Sequence, residues 1–188
     1  MIKLIVGLGN PGHQYEKTRH NAGFLFLDHL ADVNRIKWSM SNQFQAEFAN
    51  FSLHGQKLAL LKPMTYMNRS GLAVGSVLRY YKIKPEEMLV IHDELDLPEG
   101  VVKMKRDGGH AGHNGLRDII THLGSKDFYR LRVGIGRPIS GAVADYVLSR
   151  PSSEALSVFE SVFKWLEVHL ELVLAGDVSL VNNKILLQ

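Results

Sequence analysis

The amino-acid sequence predicts a single α/β domain over residues 1–188, in which helices flank a central, twisted, partly parallel sheet. Short apolar runs alternate along the chain with longer segments that carry apolar residues at helical spacing. Neither a linker nor a low-complexity tract divides the sequence, and its length suits one domain. Hydrophobic residues make up 45% of the chain and charged residues 22%, the balance expected of a folded globular protein.

The first half of the sequence predicts three strands and two helices. Residues 2–8 form an apolar run that ends in the turn-forming residues 9–12, as a buried strand does when it enters a tight turn. A helix is expected over residues 21–35, because Phe24, Leu27 and Leu30 recur at helical spacing. The other elements predicted here are strands at residues 44–53 and 58–61 and a helix at 70–82.

The second half continues the alternation. Residues 88–91 predict a buried strand that stops before His92 and Asp93. Residues 101–105 alternate apolar with basic side chains, which predicts a strand with one wet, positive face. A glycine loop at 107–112 follows, and the remaining predicted elements are a helix at 114–123, a strand at 130–135 and helices at 152–174 and 178–187.

Composition excludes several chemistries. The chain has no cysteine, so disulfides, thiolate nucleophiles and cysteine-based metal sites are ruled out, and a hydrolytic reaction would use water or a hydroxyl. No apolar run approaches the roughly 18 residues of a membrane span, and no signal peptide is recognisable, so we expect a cytoplasmic protein without membrane contact.

The net charge of +3 is unevenly distributed. Residues 101–137 contain eight Lys or Arg and three Asp, a sum of +5, which leaves −2 for the rest of the chain. Two interpretations remain open for this stretch: an ordinary solvated face, or a surface for a polyanionic partner.

A glycine motif suggests an alternative function. Gly7, Gly9 and Gly12 have the G-x-G-x-x-G spacing, and Asp28 and Asp32 follow about twenty residues later, as in NAD(P)-dependent oxidoreductases. In that fold, however, the third glycine lies inside a helix, whereas the residues after Gly12 are polar and the predicted helix starts later. Both aspartates also fall within that helix, so dinucleotide binding is disfavoured.

Polar side chains follow the predicted strands, where α/β proteins place their working groups. Each also has a structural interpretation: Asn10 as a turn residue, Asn68 at a helix entry and Asn114 as an N-cap. His110 and His113 are spaced like metal ligands, but nothing completes their ligand set, so no metal is predicted. The groups in chain order are Asn10, Tyr15, Arg19 and His20; Tyr66, Met67 and Asn68; His92, Asp93 and Glu94; and His110, His113 and Asn114.

Four strings carry a resemblance to a known family: IVGLGNPGHQYEKTRHNAGF, KPMTYMNRSG, HDELDLPEG and GGHAGHNGLRDI. In this order and at these separations they resemble the signature regions of the bacterial peptidyl-tRNA hydrolases. RLRVGIGRP and YVLSRP extend the likeness, which runs from residue 2 to about residue 151.

The resemblance implies a monomeric, cofactor-free esterase that releases tRNA from peptides dropped by stalled ribosomes. His20 would be the catalytic base and Asp93 its orienting partner, while Asn10, Asn68 and Asn114 would hold the peptide and the attacking water. The same likeness places Tyr15, Met67 and His113 in contact with substrate, and Lys103, Lys105 and Arg132 on tRNA phosphates. A 3′ base of the tRNA would stack on Tyr15 or Tyr66.

The predicted chemistry is reasonable on its own terms. A histidine with an ordinary pKa near 6.5 can take a proton from water in the transition state, and a carboxylate on its other nitrogen fixes the tautomer. Asparagine amides can hydrogen-bond a peptide main chain without reading its side chains. Arg106 and Asp107 depart from the family pattern beside the phosphate residues, residues 182–188 match the family loosely, and residues 108–112 are the candidate gate to the site.

Overall fold

The structure is a computed structural model that describes residues 1–185. Within these residues, seven strands form one sheet in the order β2-β3-β4-β1-β5-β7-β6. The strands are β1 (Leu4–Gly7), β2 (Ser39–Ser41), β3 (Ala46–Leu53), β4 (Gln56–Pro63), β5 (Met88–Glu94), β6 (Val102–Arg106) and β7 (Tyr129–Gly134).

The sheet is parallel at its centre and antiparallel at both edges. Strand β1 lies between β4 and β5 and runs parallel to both, and β5 is also parallel to β7. Strands β2 and β3 at one edge and β6 at the other pair in antiparallel fashion. The predicted mixed α/β fold with flanking helices is therefore confirmed.

Helices cover both faces of the sheet, and a hydrophobic core lies on each side. Ile5, Leu89 and Leu131 belong to the core that includes side chains of α1 and α5. Val6 and Val90 belong to the opposite core, which includes side chains of α2 and α3. The helices are α1 (Ala22–Val33), α2 (Ser70–Tyr81), α3 (Asn114–Leu123), α4 (Val143–Val147), α5 (Ser153–Val168), α6 (Leu170–Ala175) and α7 (Val178–Ile185). None of the helices in residues 1–185 combines the length and apolar character needed to cross a bilayer.

Several boundaries differ from the sequence prediction. Strand β5 continues to Glu94, so His92 and Asp93 lie inside the strand, where they pair with Arg132 and Val133 of β7. The prediction ended the strand at the first polar side chain, but backbone pairing with β7 does not require an apolar one.

Three further differences concern short or broken elements. Strand β2 and helix α4 are three and five residues long, too short to show a period in the sequence. The predicted helix at 152–174 is broken at His169, which ends α5 and precedes α6. The last predicted helix is present as α7 to Ile185, and its expected residues 186–187 lie outside the described part of the chain.

Two glycines of the G-x-G-x-x-G spacing, Gly7 and Gly9, serve the packing of α1, whereas Gly12 takes a positive φ of 112° in the turn. Helix α1 crosses the sheet so closely that a Cβ on Gly7 would overlap the carbonyl of Gly23, and a Cβ on Gly23 would overlap the backbone of Leu8 and Ile91. Asp28 lies within α1, and its Oδ1 is 2.5 Å from Nζ of Lys62. These residues therefore lack the loop and the free acid that a dinucleotide site requires.

Candidate active site

The candidate site lies where the carboxyl ends of the parallel strands meet. The turn after β1 supplies Asn10 and then His20, and the short 3-10 helix after β4 supplies Met67 and Asn68. The end of β5 supplies Asp93. Because parallel strands present their carboxyl ends at one edge, these side chains meet although they are far apart in sequence.

His20 and Asp93 form the predicted pair. Nδ1 of His20 lies 3.0 Å from both carboxylate oxygens of Asp93. Both side chains are largely buried, with 10% and 2% of their surfaces exposed. Since an ionised carboxylate only accepts hydrogen bonds, Nδ1 carries the proton, and Nε2 of neutral His20 is left with the lone pair.

His113 is a second partner of Asp93 that the sequence did not reveal. Its Nε2 lies 2.8 Å from Oδ1 of Asp93, and its Nδ1 accepts from the backbone N–H of Leu116 at 3.3 Å. Because Nδ1 uses its lone pair to cap α3, Nε2 must carry the proton and donate it to Asp93. The N-cap of α3 is thus His113, which corrects the suggestion that Asn114 caps this helix.

Electrostatics favour an ionised Asp93 and a somewhat more basic His20. Burial alone would raise the pKa of Asp93, but the neighbouring His20 and His113 outweigh it and hold that pKa far below its usual range. For His20, burial opposes protonation, yet the charge and hydrogen bond of Asp93 prevail and raise the pKa above 6.5. The same three side chains could in principle ligate a cation, but the facing atoms are joined by ordinary hydrogen bonds.

Asn10 is held rigidly by a residue that sequence reasoning missed. The side chain of Asn21 accepts from the backbone N–H of Asn10 at 2.8 Å and donates to its carbonyl at 3.0 Å. The side-chain Oδ1 of Asn10 accepts from the backbone N–H of Met67 at 2.7 Å. Asn10 therefore has its Nδ2 group available as a donor. Asn21 gave no signal because it reads as an ordinary residue at a helix entry.

Two adjoining cavities meet at His20. The first, of about 210 Å³, is lined by Asn10, Tyr66, Met67, Asn68 and Asn114 as well as His20. The second, of about 320 Å³, lies on the side of Asp93 and His113. Both include Asn114 and residues of α4, Ala144 and Val147.

Four predicted residues lie apart from these cavities. Among the residues that the structure describes, Tyr15 lines neither cavity and lies in a 3-10 turn, and Lys103, Lys105 and Arg132 are on β6 and β7.

Strands β6 and β7 present a positively charged face, but its net charge is lower than the number of Lys and Arg residues in the sequence indicates. Lys103 pairs across the strands with Arg132, and Lys105 with Arg130. Arg106 is engaged by both oxygens of Asp127, at 2.6 and 2.8 Å, so it is neutralised locally. Asp107 turns its Oδ1 to the N–H of Gly108.

Arg130 was not predicted to matter, and it is the anchor of the glycine loop. It is fully buried, and its guanidinium donates to the carbonyls of Gly108 and Gly109. The burial of Lys105, and then the nearby charges of Arg130 and Arg132, lower the pKa of Lys105.

An open α/β sheet that places a His–Asp pair and asparagines beside a cleft, in a chain without cysteine, can perform hydrolysis with water as the nucleophile. The family model described as Peptidyl-tRNA hydrolase matches residues 4–186, and the chain belongs to this family. It is therefore a hydrolase.

Individual relatives agree with the family assignment. The peptidyl-tRNA hydrolase of Methylococcus capsulatus is 53% identical over 187 residues, which cover 98% of this chain and 99% of the relative. That of Dichelobacter nodosus is 58% identical over 154 residues, 81% of this chain and 82% of the relative. The crystal structure of peptidyl-tRNA hydrolase from Acinetobacter baumannii matches with a TM-score of 0.92 and 44% identity, covering 98% of this chain and 94% of that one.

Proposed function

We propose that this hydrolase cleaves the ester bond between a peptide and the 3′ ribose of tRNA, and so recycles tRNA released from stalled ribosomes. Membership of the peptidyl-tRNA hydrolase family supports the substrate. The observation that carries the mechanism is the hydrogen bond of His20 Nδ1 to Asp93, which leaves Nε2 as a base beside the cleft. We further propose that the chain acts as a monomeric, single-domain, cytoplasmic enzyme without a cofactor.

Water attacks the ester carbonyl while Nε2 of His20 removes its proton. General-base assistance of this kind contributes roughly 10² to 10⁴ in rate. Asp93 stays ionised and stabilises the imidazolium that forms, because its own pKa lies far below neutrality. His20 then returns the proton to the departing ribose oxygen, which restores the neutral base.

The asparagines position the substrate. Asn10 donates through Nδ2, because its oxygen is engaged by the N–H of Met67. A fixed amide donor aimed at the developing oxyanion stabilises the transition state by about 2.7 to 4 kcal/mol. Asn68 and Asn114 line the same cavity and contact the peptide main chain, while Met67 lines that cavity too and His113 lines the adjoining one. Such contacts do not read peptide side chains.

Selectivity for tRNA comes from outside the cleft. Lys103, Lys105 and Arg132 bring like charges together on β6 and β7, where Glu94 pairs with Arg132 at 3.0 Å, and a phosphate bound there balances the remaining positive charge. Tyr66 is 59% exposed at the cleft and offers a stacking surface to a 3′ base. Tyr15, in the 3-10 turn after β1, is the second candidate for that contact.

The decisive assay incubates the purified chain with an N-blocked aminoacyl-tRNA in EDTA and separates free tRNA. We expect hydrolysis, and its loss in EDTA would overturn the metal-free mechanism. His20→Ala is expected to retain substrate binding while single-turnover hydrolysis falls at least about a hundredfold. An unchanged rate would remove His20 from the mechanism. If neither protein hydrolyses the ester but both bind tRNA, the chain is an RNA-binding module.

A further inference from the structure

A third histidine lies within the site, and the mechanism above does not use it. His92 lies in β5 directly before Asp93 and is 1% exposed. Its Nδ1 lies 2.7 Å from the backbone carbonyl of Asp93, so it donates to that oxygen. The imidazole is thereby fixed in one orientation beside the catalytic pair.

The ring of His92 forms a wall for His113. The two rings meet edge to face, with centroids 5.0 Å apart and planes inclined at 71°. His113 also faces His20, at a centroid distance of 5.0 Å and an angle of 46°. The ring of His113 therefore contacts those of both His92 and His20. The Asp93 carboxylate accepts hydrogen bonds from His113 and His20.

Burial and the neighbouring charged groups keep the imidazole of His92 neutral. His113 from the turn before α3, Arg130 from β7 and Asp93 from its own strand are the titratable groups that face His92. Burial, reinforced by His113, lowers the pKa of His92 to about 3. The ring is accordingly neutral at physiological pH and places no positive charge beside Asp93.

We propose that His92 is a positioning residue: its fixed ring holds His113 against Asp93, so that two histidines share one carboxylate and His20 does not become too strong a base. Its contacts with Asp93 and His113 carry this inference, which rests on the proposed function of His20.

The hydrogen bond from His113 to Asp93 affects His20, because each hydrogen bond that a carboxylate accepts weakens the attraction of that carboxylate for other protons. Asp93 and His113 are the titratable groups that face His20. If His113 moves away, Asp93 keeps an unpaired oxygen and stabilises the imidazolium of His20 more strongly. A larger share of His20 is then protonated near neutral pH and cannot accept a proton from water.

Two substitutions of His92 separate the ring from the hydrogen bond. His92→Asn removes the ring but retains an amide N–H where Nδ1 stands, whereas His92→Phe retains a ring and removes the donor. We expect His92→Asn to raise the pKa of His20 by about 0.5 to 1. The corresponding kcat/KM at pH 6 falls about three- to tenfold, with a smaller change at pH 9. His92→Phe should leave the pKa of His20 near its wild-type value.

The pKa of His20 is measured in the full chain by NMR titration of labelled imidazoles, and kcat/KM is measured against pH on peptidyl-tRNA. His113→Ala serves as the reference, and the double variant His92→Asn/His113→Ala should shift the pKa no further than His113→Ala does. A folded His92→Asn protein with the wild-type pKa would overturn the proposal. If that variant does not fold, a His92→Phe protein that shifts as much as His113→Ala would overturn it equally.

The two proposals fail in different ways. The NMR titration needs no substrate, so a shifted pKa in a chain whose hydrolysis does not depend on His20 would refute the proposed catalytic role alone. Conversely, activity that requires His20 without a shift in His92→Asn would refute the positioning role alone.

Discussion

The His20–Asp93–His113 cluster and the basic face of β6 and β7 differ in how the fold treats charge. In the cluster, the described side chains satisfy one another through hydrogen bonds of 2.8 to 3.0 Å, and they are almost fully buried. On the basic face, Lys103 lies opposite Arg132 and Lys105 opposite Arg130, and only Arg132 of the four has a carboxylate partner among the described residues, Glu94 at 3.0 Å. The charges of the first region are balanced within the chain, whereas the second keeps an excess of positive charge.

This difference separates chemistry from positioning. A preorganised cluster contributes to the rate of bond breaking, because its geometry need not change in the transition state. A face of like charges contributes to affinity and responds to salt, because bound phosphate replaces released counterions. Changes in the two regions should therefore appear in different kinetic parameters.

The largest expected effect is that of Asp93→Asn. The variant loses both the charge that stabilises the imidazolium and the control of the His20 tautomer, so kcat should fall by roughly 10²- to 10⁴-fold with little change in binding. Single-turnover rates at saturating enzyme and a separate tRNA-binding measurement check this. Weaker tRNA binding with an unchanged rate of the chemical step would contradict the assignment of Asp93 to the chemistry.

The same variant has a signed effect on pH dependence. In the wild type, kcat/KM should rise with pH through the pKa of His20, which lies above 6.5, because only the neutral ring is a base. Without the Asp93 charge, burial is the remaining influence and should lower the pKa of His20 below 6.5. The residual rate of Asp93→Asn should therefore reach its plateau at lower pH, as a pH–rate profile from 5 to 9 tests.

A smaller effect is expected for Asn21→Ala. The substitution removes both hydrogen bonds that fix the backbone of Asn10, so the amide donor loses its alignment and kcat should fall about tenfold. Asn34→Ala is the matched control, because that amide also bonds a backbone carbonyl but lies at the far end of α1. Equal losses in both variants would indicate a general loss of stability, which thermal unfolding would register.

The smallest effect on chemistry should come from the basic face. Lys105→Ala and Arg132→Ala should raise KM severalfold with kcat nearly unchanged. Each should reduce the slope of log KM against log salt by about 0.7 for every phosphate of single-stranded RNA that the variant no longer neutralises. Arg106→Ala is the control, since both carboxylate oxygens of Asp127 engage its guanidinium, whereas Glu94 engages Arg132 through a single hydrogen bond and the structure gives Lys105 no carboxylate partner among residues 1–185. A slope that stays at the wild-type value in Arg132→Ala would place the phosphates elsewhere.

The sequence predicts those residues whose role follows from their side-chain type and spacing. It does not predict residues whose role follows from contacts with distant parts of the chain. The strands with apolar runs and the helices with apolar stripes were predictable, because burial imposes a period. The pairing of His20 with Asp93 was predicted from the resemblance to the family, whereas the residues alone indicated only that both belong to the polar groups that follow the strands.

Residues that act through geometry were not predictable. Asn21 matters only because the chain brings its amide against the backbone of Asn10. His113 reaches Asp93 only because its other nitrogen caps α3. The pairing of Arg106 with Asp127 lowers the positive charge that the sum of charged residues predicted for this surface. In each case the determining interaction joins segments whose proximity the one-dimensional pattern does not encode.

The close approach of α1 to β1 has a consequence for the precision of the reaction. The turn that carries His20 leads directly into α1, and that helix is seated on the sheet at Gly23, where one methyl group would not fit. The distance between His20 and Asp93 therefore depends on a close approach of backbone to backbone, with no flexible side chain between the helix and the strand. Gly7 and Gly23, because they carry no side chain, let the helix that follows His20 lie directly against the strands that lead to Asn10 and Asp93.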